Sequence, residues 1–224
     1  LEFIMTARVV LLSISLLAFS VATTTADNHL EQPSSWHRVK RVAAYKSPRR
    51  ARYPSITTAK DGSLLVLLTK QTADEETAGH GSLVLVRSTD GGTTWSDGRT
   101  VYRGTYGQPR ARGTLTRLQS GRIIAPFVEL GEDTHTARML SSTDNGNNWQ
   151  VNELDATLPF AWWTPSGKVL ESSDGHLTMP VYGAVSEADL RSTMHSCGLL
   201  RSKDNGKNWG DFSWIARGSD LVVG

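Results

Sequence analysis

An eight-residue box that occurs three times constrains this chain more than any other feature. It reads Ser88-Thr-Asp90-Gly-Gly92-Thr-Thr-Trp95, then Ser142-Thr-Asp144-Asn-Gly146-Asn-Asn-Trp149, then Ser202-Lys-Asp204-Asn-Gly206-Lys-Asn-Trp209. The shared pattern is S-x-D-x-G-x-x-W, with starts 54 and 60 residues apart. A second motif keeps the same rhythm. Asp61-Gly62-Ser63-Leu64, Ser120-Gly121-Arg122-Ile123 and Asp174-Gly175-His176-Leu177 each precede a box, with glycines 59 and 54 residues apart. Two interleaved motifs on one period mark a structural repeat. The box has the chemistry of a tight turn. Its Ser and Asp side chains bond backbone groups, its Gly permits positive φ, and its Trp packs a large apolar face into a core. A calcium loop is rejected, because the third acidic ligand and the closing Glu are missing.

Between the markers lie short apolar runs of strand character. Residues 63–69 and 82–87 flank the first period, 123–128 and 137–141 the second, and 177–182 and 198–201 the third. Glycine (20) and tryptophan (7) are frequent, and no run is long and periodic enough for a helix. About four strands per period, with the box between the third and fourth, is a β-propeller blade. The expectation is an all-β propeller with blades at 52–103, 110–154 and 164–216. Residues 36–45 would supply an outer strand. Propellers have about 4–8 blades, so the three seen here predict an N-terminal portion of a larger ring.

The N-terminus reads as a leader. Residues 1–4 look like an upstream extension or cloning scar ahead of Met5. A weakly basic start at Arg8 is followed by 13 apolar or small residues, 9–21, and small residues up to Ala26. This predicts a signal peptide at 5–26, cleaved after Ala26, a lead-in at 27–51, and a secreted or periplasmic protein. The apolar run falls short of the roughly 20 residues that span a bilayer, so no stable membrane anchor is expected. A formal net charge of +2 gives no case for a nucleic-acid partner. The single cysteine, Cys197, forms no disulfide within the chain and reads as a small buried hydrophobe. The six histidines show no metal-ligand spacing, so neither metal nor cofactor is expected. The basic stretch 46–52 reads as a solvated run, with a processing site or anion patch as alternatives.

The boxes resemble those of the sialidase superfamily, whose members are six-bladed propellers. The resemblance covers about residues 52–209. Arg52-Tyr53-Pro54, ahead of Asp61-Gly62, is similar to the family's Arg-x-Pro motif. That resemblance implies that Arg52 belongs to a three-arginine cluster gripping the substrate carboxylate, a task suited to a planar guanidinium fork. It also implies a general acid on the loop before the first box. Glu76 lies 12 residues before Ser88, and Asp74 has the usual residue type two positions further back. Either could protonate a glycosidic oxygen, and a solvated acidic loop is an equal reading. The stretch from Thr164-Pro-Ser-Gly167 to Met179-Pro180-Val-Tyr182 is similar to a further family pattern. Trp162 and Trp163 fit an apolar wall for substrate, with packing between blades the stronger reading. Arg110 and Arg112 are candidates for added positive charge in the pocket, against ordinary surface arginines.

The resemblance implies a retaining exo-sialidase that removes terminal sialic acid from glycans, using a Tyr nucleophile activated by a Glu. Both would come from later blades, as would the remaining arginines. Two other readings stay open. One is a non-catalytic propeller that binds carbohydrate or protein, and the other is a hydrolase of another glycan. For the 224-residue chain alone the expectation is little or no hydrolysis of a fluorogenic sialoside. Measurable turnover by this product would overturn it.

Overall fold

The computed structural model describes residues 42–47, 50–71, 81–104, 114–131, 135–192 and 194–218, and the backbone alone at 108–110. The expected leader, residues 27–41 of the lead-in and residues 219–224 lie outside the described residues. Three antiparallel sheets follow one another along the chain. Blade one orders β1 (Ala51–Thr58), β2 (Leu64–Gln71), β3 (Gly81–Ser88) and β4 (Arg99–Arg103). Blade two contains β5 (Gln108–Arg110), β6 (Thr116–Arg117), β7 (Ile123–Leu130), β8 (His135–Ser142) and β9 (Gln150–Glu153). Blade three contains β10 (Trp162–Pro165), β11 (Leu170–Glu171), β12 (Leu177–Ala184), β13 (Ser196–Ser202) and β14 (Gly210–Ala216). In blades two and three the leading strand is split, so β5 and β6 both pair with β7, and β10 and β11 both pair with β12.

The apolar patterning explains how the sheets stack. The β7 sequence IIAPFVEL has no polar alternation, and its residues are buried on both faces. Ile123, Ala125 and Phe127 join Leu65, Leu67, Leu83 and Leu85 in a core between blades one and two. Ile124 and Val128 join Leu177, Met179, Val181 and Leu200 in a core between blades two and three. The hydrophobic core is therefore not inside any sheet but between neighbours. Burying a side chain such as Phe127 contributes about 2 kcal/mol. Met179 and Val181, from the stretch similar to a family pattern, serve this core. The leading strands also touch. The Leu115 N–H donates to Ser55 Oγ at 3.1 Å, and the Thr114 N–H donates to the Gly167 carbonyl at 2.9 Å.

The second motif closes the hairpin after each leading strand. The Ala59 N–H donates to the Ser63 carbonyl at 2.8 Å, Leu118 to Arg122 at 2.8 Å and Ser172 to His176 at 2.9 Å. Gly62, Gly121 and Gly175 sit at φ 85°, 87° and 81°, as a three-residue loop ending in a left-handed residue requires.

The boxes form three nearly identical turns between the third and fourth strands. In each, the Ser Oγ donates to the Asp Oδ1 at 2.8 Å and accepts from the Gly N–H at 2.8 Å. The same Oδ1 accepts the N–H of Thr94, Asn148 or Asn208 at 2.8–2.9 Å. The Trp95 and Trp149 indoles donate to the carbonyls of Gly92 and Gly146. Gly146 sits at φ 82°, where a side chain is strained, and a Cβ there would lie 2.8 Å from Leu65 Cδ1, which would have to shift.

These turns also join the blades. The Arg99 guanidinium donates to the carbonyls of Gly146 at 2.7 Å and Asn147 at 2.6 Å, and Arg87 donates to the Asn145 carbonyl. One blade on, Arg122 donates to the Asn205 carbonyl at 2.8 Å. Asn145 and Asn205, whose carbonyls accept these bonds, are both left-handed, at φ 59°.

A short helix, α1 (Glu187–Ser192), departs from the expected absence of helix. Ser186 caps it reciprocally: the Asp189 N–H donates to Ser186 Oγ, and the Ser186 N–H to Asp189 Oδ2, both at 3.1 Å. Cys197 is half-buried rather than buried, since it lies on the outward-alternating face of β13.

Hydrogen bonds donated to the ionised carboxylates hold Asp90, Asp144 and Asp204 at about 2, below the ordinary 3.8. The largest contribution is the Thr94 side chain for Asp90, the Asn148 backbone for Asp144 and the Asn208 backbone for Asp204. A carboxylate depressed on folding contributes stability that is complete above its unfolded value and is lost as pH falls through its folded value. Melting curves should therefore show a progressive drop in Tm between about pH 4 and pH 2. The Asp144→Asn variant should start lower and fall less steeply over that interval.

Candidate functional site

The three leading strands begin at equivalent places. Arg52 pairs with Thr69, Arg110 with Val128 and Thr164 with Tyr182. Each partner is the sixth residue of an eight-residue strand. Arg52 and Arg110 thus hold the same register in neighbouring blades, as the backbone alone places them.

Every leading strand breaks close after this register. In β1 the pairing shifts between Arg52 and Ser55, and Tyr53 takes φ 54°. In blade two β5 ends at Arg110 and pairing resumes at Thr116. In blade three β10 ends at Pro165, Gly167 takes φ 73°, and pairing resumes at Leu170. Tyr53 is the costly member of this set. A left-handed aromatic residue carries about 1–3 kcal/mol of backbone strain, and the proline that follows restricts it further. Such strain persists only where the surrounding sheet enforces it. Arg52, immediately before it, is exposed.

The remaining predicted residues divide three ways. Asp74 and Glu76 lie outside the described residues, but the segment that carries them is anchored beside Arg52. It leaves from Gln71, whose N–H donates to the Arg50 carbonyl at 3.1 Å, and returns at Gly81, the cross-strand partner of Gln71. Arg112 also lies outside the described residues, and Arg110 is placed by its backbone only. Trp163 is half-buried and packs against the core between blades two and three. Trp162 stands beside the rings of His135 at 5.3 Å, His195 at 5.9 Å and Tyr182 at 6.0 Å. Among the described residues no group of three or more His, Cys, Asp or Glu is placed to hold a metal ion.

One buried network escaped the sequence reading. Glu129, 1% exposed, accepts the Tyr102 hydroxyl of blade one at 2.6 Å and Arg138 Nε at 3.2 Å through the same oxygen. Arg138 also reaches Glu153 at 3.4 Å. Glu129 pairs with Pro109, next to Arg110, so this ion pair buttresses the start of the leading strand. The signal was present in the sequence as a lone carboxylate inside the apolar run of β7.

Blades stapled by one repeated box, packed face to face and joined through their leading strands, define a β-propeller of the sialidase type. The chain belongs to the BNR repeat-like domain family, whose model matches residues 20–220. It is 25% identical over 189 residues to a sialidase of Paraclostridium sordellii, covering 70% of this chain and 45% of that protein. The chain therefore spans less than half the length of this relative. Among solved structures it resembles the Hadza microbial sialidase Hz136, with a TM-score of 0.56 and 18% identity over 71% of this chain and 36% of that one. It also resembles the GH93 α-L-arabinofuranosidase of Fusarium graminearum in complex with arabinobiose. That likeness has a TM-score of 0.52 and 16% identity over 77% of this chain and 50% of that one. At these identities the structural likeness establishes the fold.

Removing the Tyr102 hydroxyl should expose the contribution of the buried network. Tyr102→Phe keeps the contact with Phe127, at 4.9 Å between ring centroids, and deletes one bond to a charged acceptor. Urea titration should show a loss of about 1.5–3 kcal/mol. Glu129→Ala, which strands Arg138 without its buried partner, should cost more, about 3–5 kcal/mol.

Proposed function

We propose that the whole protein of which these blades form part is a glycoside hydrolase acting at the end of a glycan chain. More specifically, we read it as a secreted exo-sialidase that removes terminal sialic acid. The observation that carries this reading is Arg52. It is an exposed guanidinium at the start of a leading strand, beside the strained Tyr53, in the same register as Arg110. A substrate carboxylate would dock on Arg52 bidentately, which fixes the orientation of the sugar as well as its charge. Asp74 or Glu76, on the segment between Gln71 and Gly81, would offer a proton to the glycosidic oxygen, a role that rests on the family resemblance. The likeness to sialidases supports the reading at the level of the family.

A second reading, hydrolysis of a neutral glycan, is favoured by the likeness to the arabinofuranosidase solved with arabinobiose. The two readings separate at Arg52, because a neutral sugar has no carboxylate for it to grip. A third reading, a propeller that binds carbohydrate without hydrolysis, predicts no turnover at all.

The test is to assay the full-length protein on fluorogenic sialoside and arabinofuranoside substrates. On the sialoside, Arg52→Ala should lower kcat/KM about 10- to 100-fold, the worth of a charge-assisted pair, and Arg52→Lys should restore only part of it. Unchanged kinetics would remove Arg52 from the site. Cleavage of the arabinofuranoside alone would replace the sialidase reading with the second one.

A further inference from the structure

The end of β1 is a regular ladder and its start is not. Thr58 pairs with Leu64, Thr57 with Leu65, Ile56 with Val66 and Ser55 with Leu67. Continued unbroken, this ladder would pair Tyr53 with Thr69 and Arg52 with Lys70. Instead Tyr53 and Pro54 occupy the span of one residue, Leu68, and Arg52 pairs with Thr69. One extra residue in one strand is a β-bulge. Because side chains alternate along a strand, a slip of one residue moves everything beyond it to the other face.

That exchange of faces decides where Arg52 stands. Leu65 and Leu67 face the core shared with blade two. Thr69, two residues further on, is on the same face and is buried. Arg52, opposite Thr69, therefore lies on the face toward blade two. Without the bulge it would lie on the far face, with another cation, Lys70, directly opposite, an arrangement that costs stability. In blade two Arg110 holds the corresponding position, opposite Val128, which belongs to the core shared with blade three. Both positions are on the face toward the following blade, and for Arg52 the bulge puts it there.

Two features hold the bulge. Tyr53 takes φ 54°, a left-handed conformation that an aromatic residue adopts only under constraint. Just beyond the bulge, Ser55 Oγ accepts the Leu115 N–H of blade two at 3.1 Å, which ties the strand to its neighbour at that point. We infer that Tyr53 is a positioning residue: its left-handed backbone, anchored through Ser55, turns Arg52 onto the face toward blade two. This deepens the reading in which Arg52 grips a substrate carboxylate, and rests on it.

The experiment uses the full-length protein and two variants that remove the same ring but differ in backbone preference. Asn enters the left-handed region readily, and β-branched Ile resists it. On a fluorogenic sialoside, Tyr53→Asn should keep kcat/KM within about threefold of the parent. Tyr53→Ile should lower it about tenfold through KM, with kcat little changed, as suits a misplaced binding group. Made on top of Arg52→Ala, Tyr53→Ile should cost nothing further, because the group it aims is gone. Should Tyr53→Ile not fold, Ser55→Ala, which frees the strand beyond the bulge, takes its place with the same expectations. No rise in KM, equal losses in the two Tyr53 variants, or an undiminished loss in the Arg52→Ala background would overturn the inference while leaving Arg52 in the site. No turnover of the sialoside, or unchanged kinetics for Arg52→Ala, would overturn the reading of Arg52 and the inference with it.

Discussion

A sheet with apolar residues on both faces can exist only between two neighbours, and the rest of this structure follows from that demand. β7 sends alternate side chains into two separate cores, one shared with blade one and one with blade two's other neighbour. No blade could hold such a strand alone. Stacking is therefore a condition of folding. It also determines what the turns must do. The second and third boxes have to keep their own hairpins closed while their carbonyls meet a guanidinium from the blade before.

The parts of this fold that were legible in the sequence are those whose cause is local. The positive φ of Gly62, Gly121 and Gly146 and the Ser–Asp bonding of the boxes depend on residues within a few positions of each other. They can be read without knowing what lies across the core. Strand existence was legible from apolar runs. Strand ends were underestimated, because Lys70, Gln71, Leu130 and Ala184 are held by cross-strand pairing rather than by their own hydropathy. The helix after Ser186 was legible in principle from its capping residues, and was hidden by its brevity. The split leading strands were not legible. Segments as short as Thr116–Arg117 carry no period, and only their partners on β7 make them strands.

The candidate site shows the same division. Arg52 could be named from a motif, and its registry with Arg110 emerged only from the pairing of β1 and β5 with their neighbours. The network of Tyr102, Glu129 and Arg138 draws on two blades, with partners 27 and 9 residues from Glu129. No local pattern encodes it. Its role is architectural: it buries a compensated charge behind the strand start where Arg110 sits. The common interruption of all three leading strands then allows residues there to leave the pleated ladder.

The bonds from Arg87, Arg99 and Arg122 to the box carbonyls give the array a direction. Each runs from a blade to the turn of the one that follows. During synthesis the donor blade leaves the ribosome first, so its guanidinium is already in place when the next box emerges. The growing chain is thus templated forward, one hairpin at a time. Conversely, peeling away one blade deprives its successor's turn of its partners, so unravelling would propagate along the array instead of stopping at the first gap.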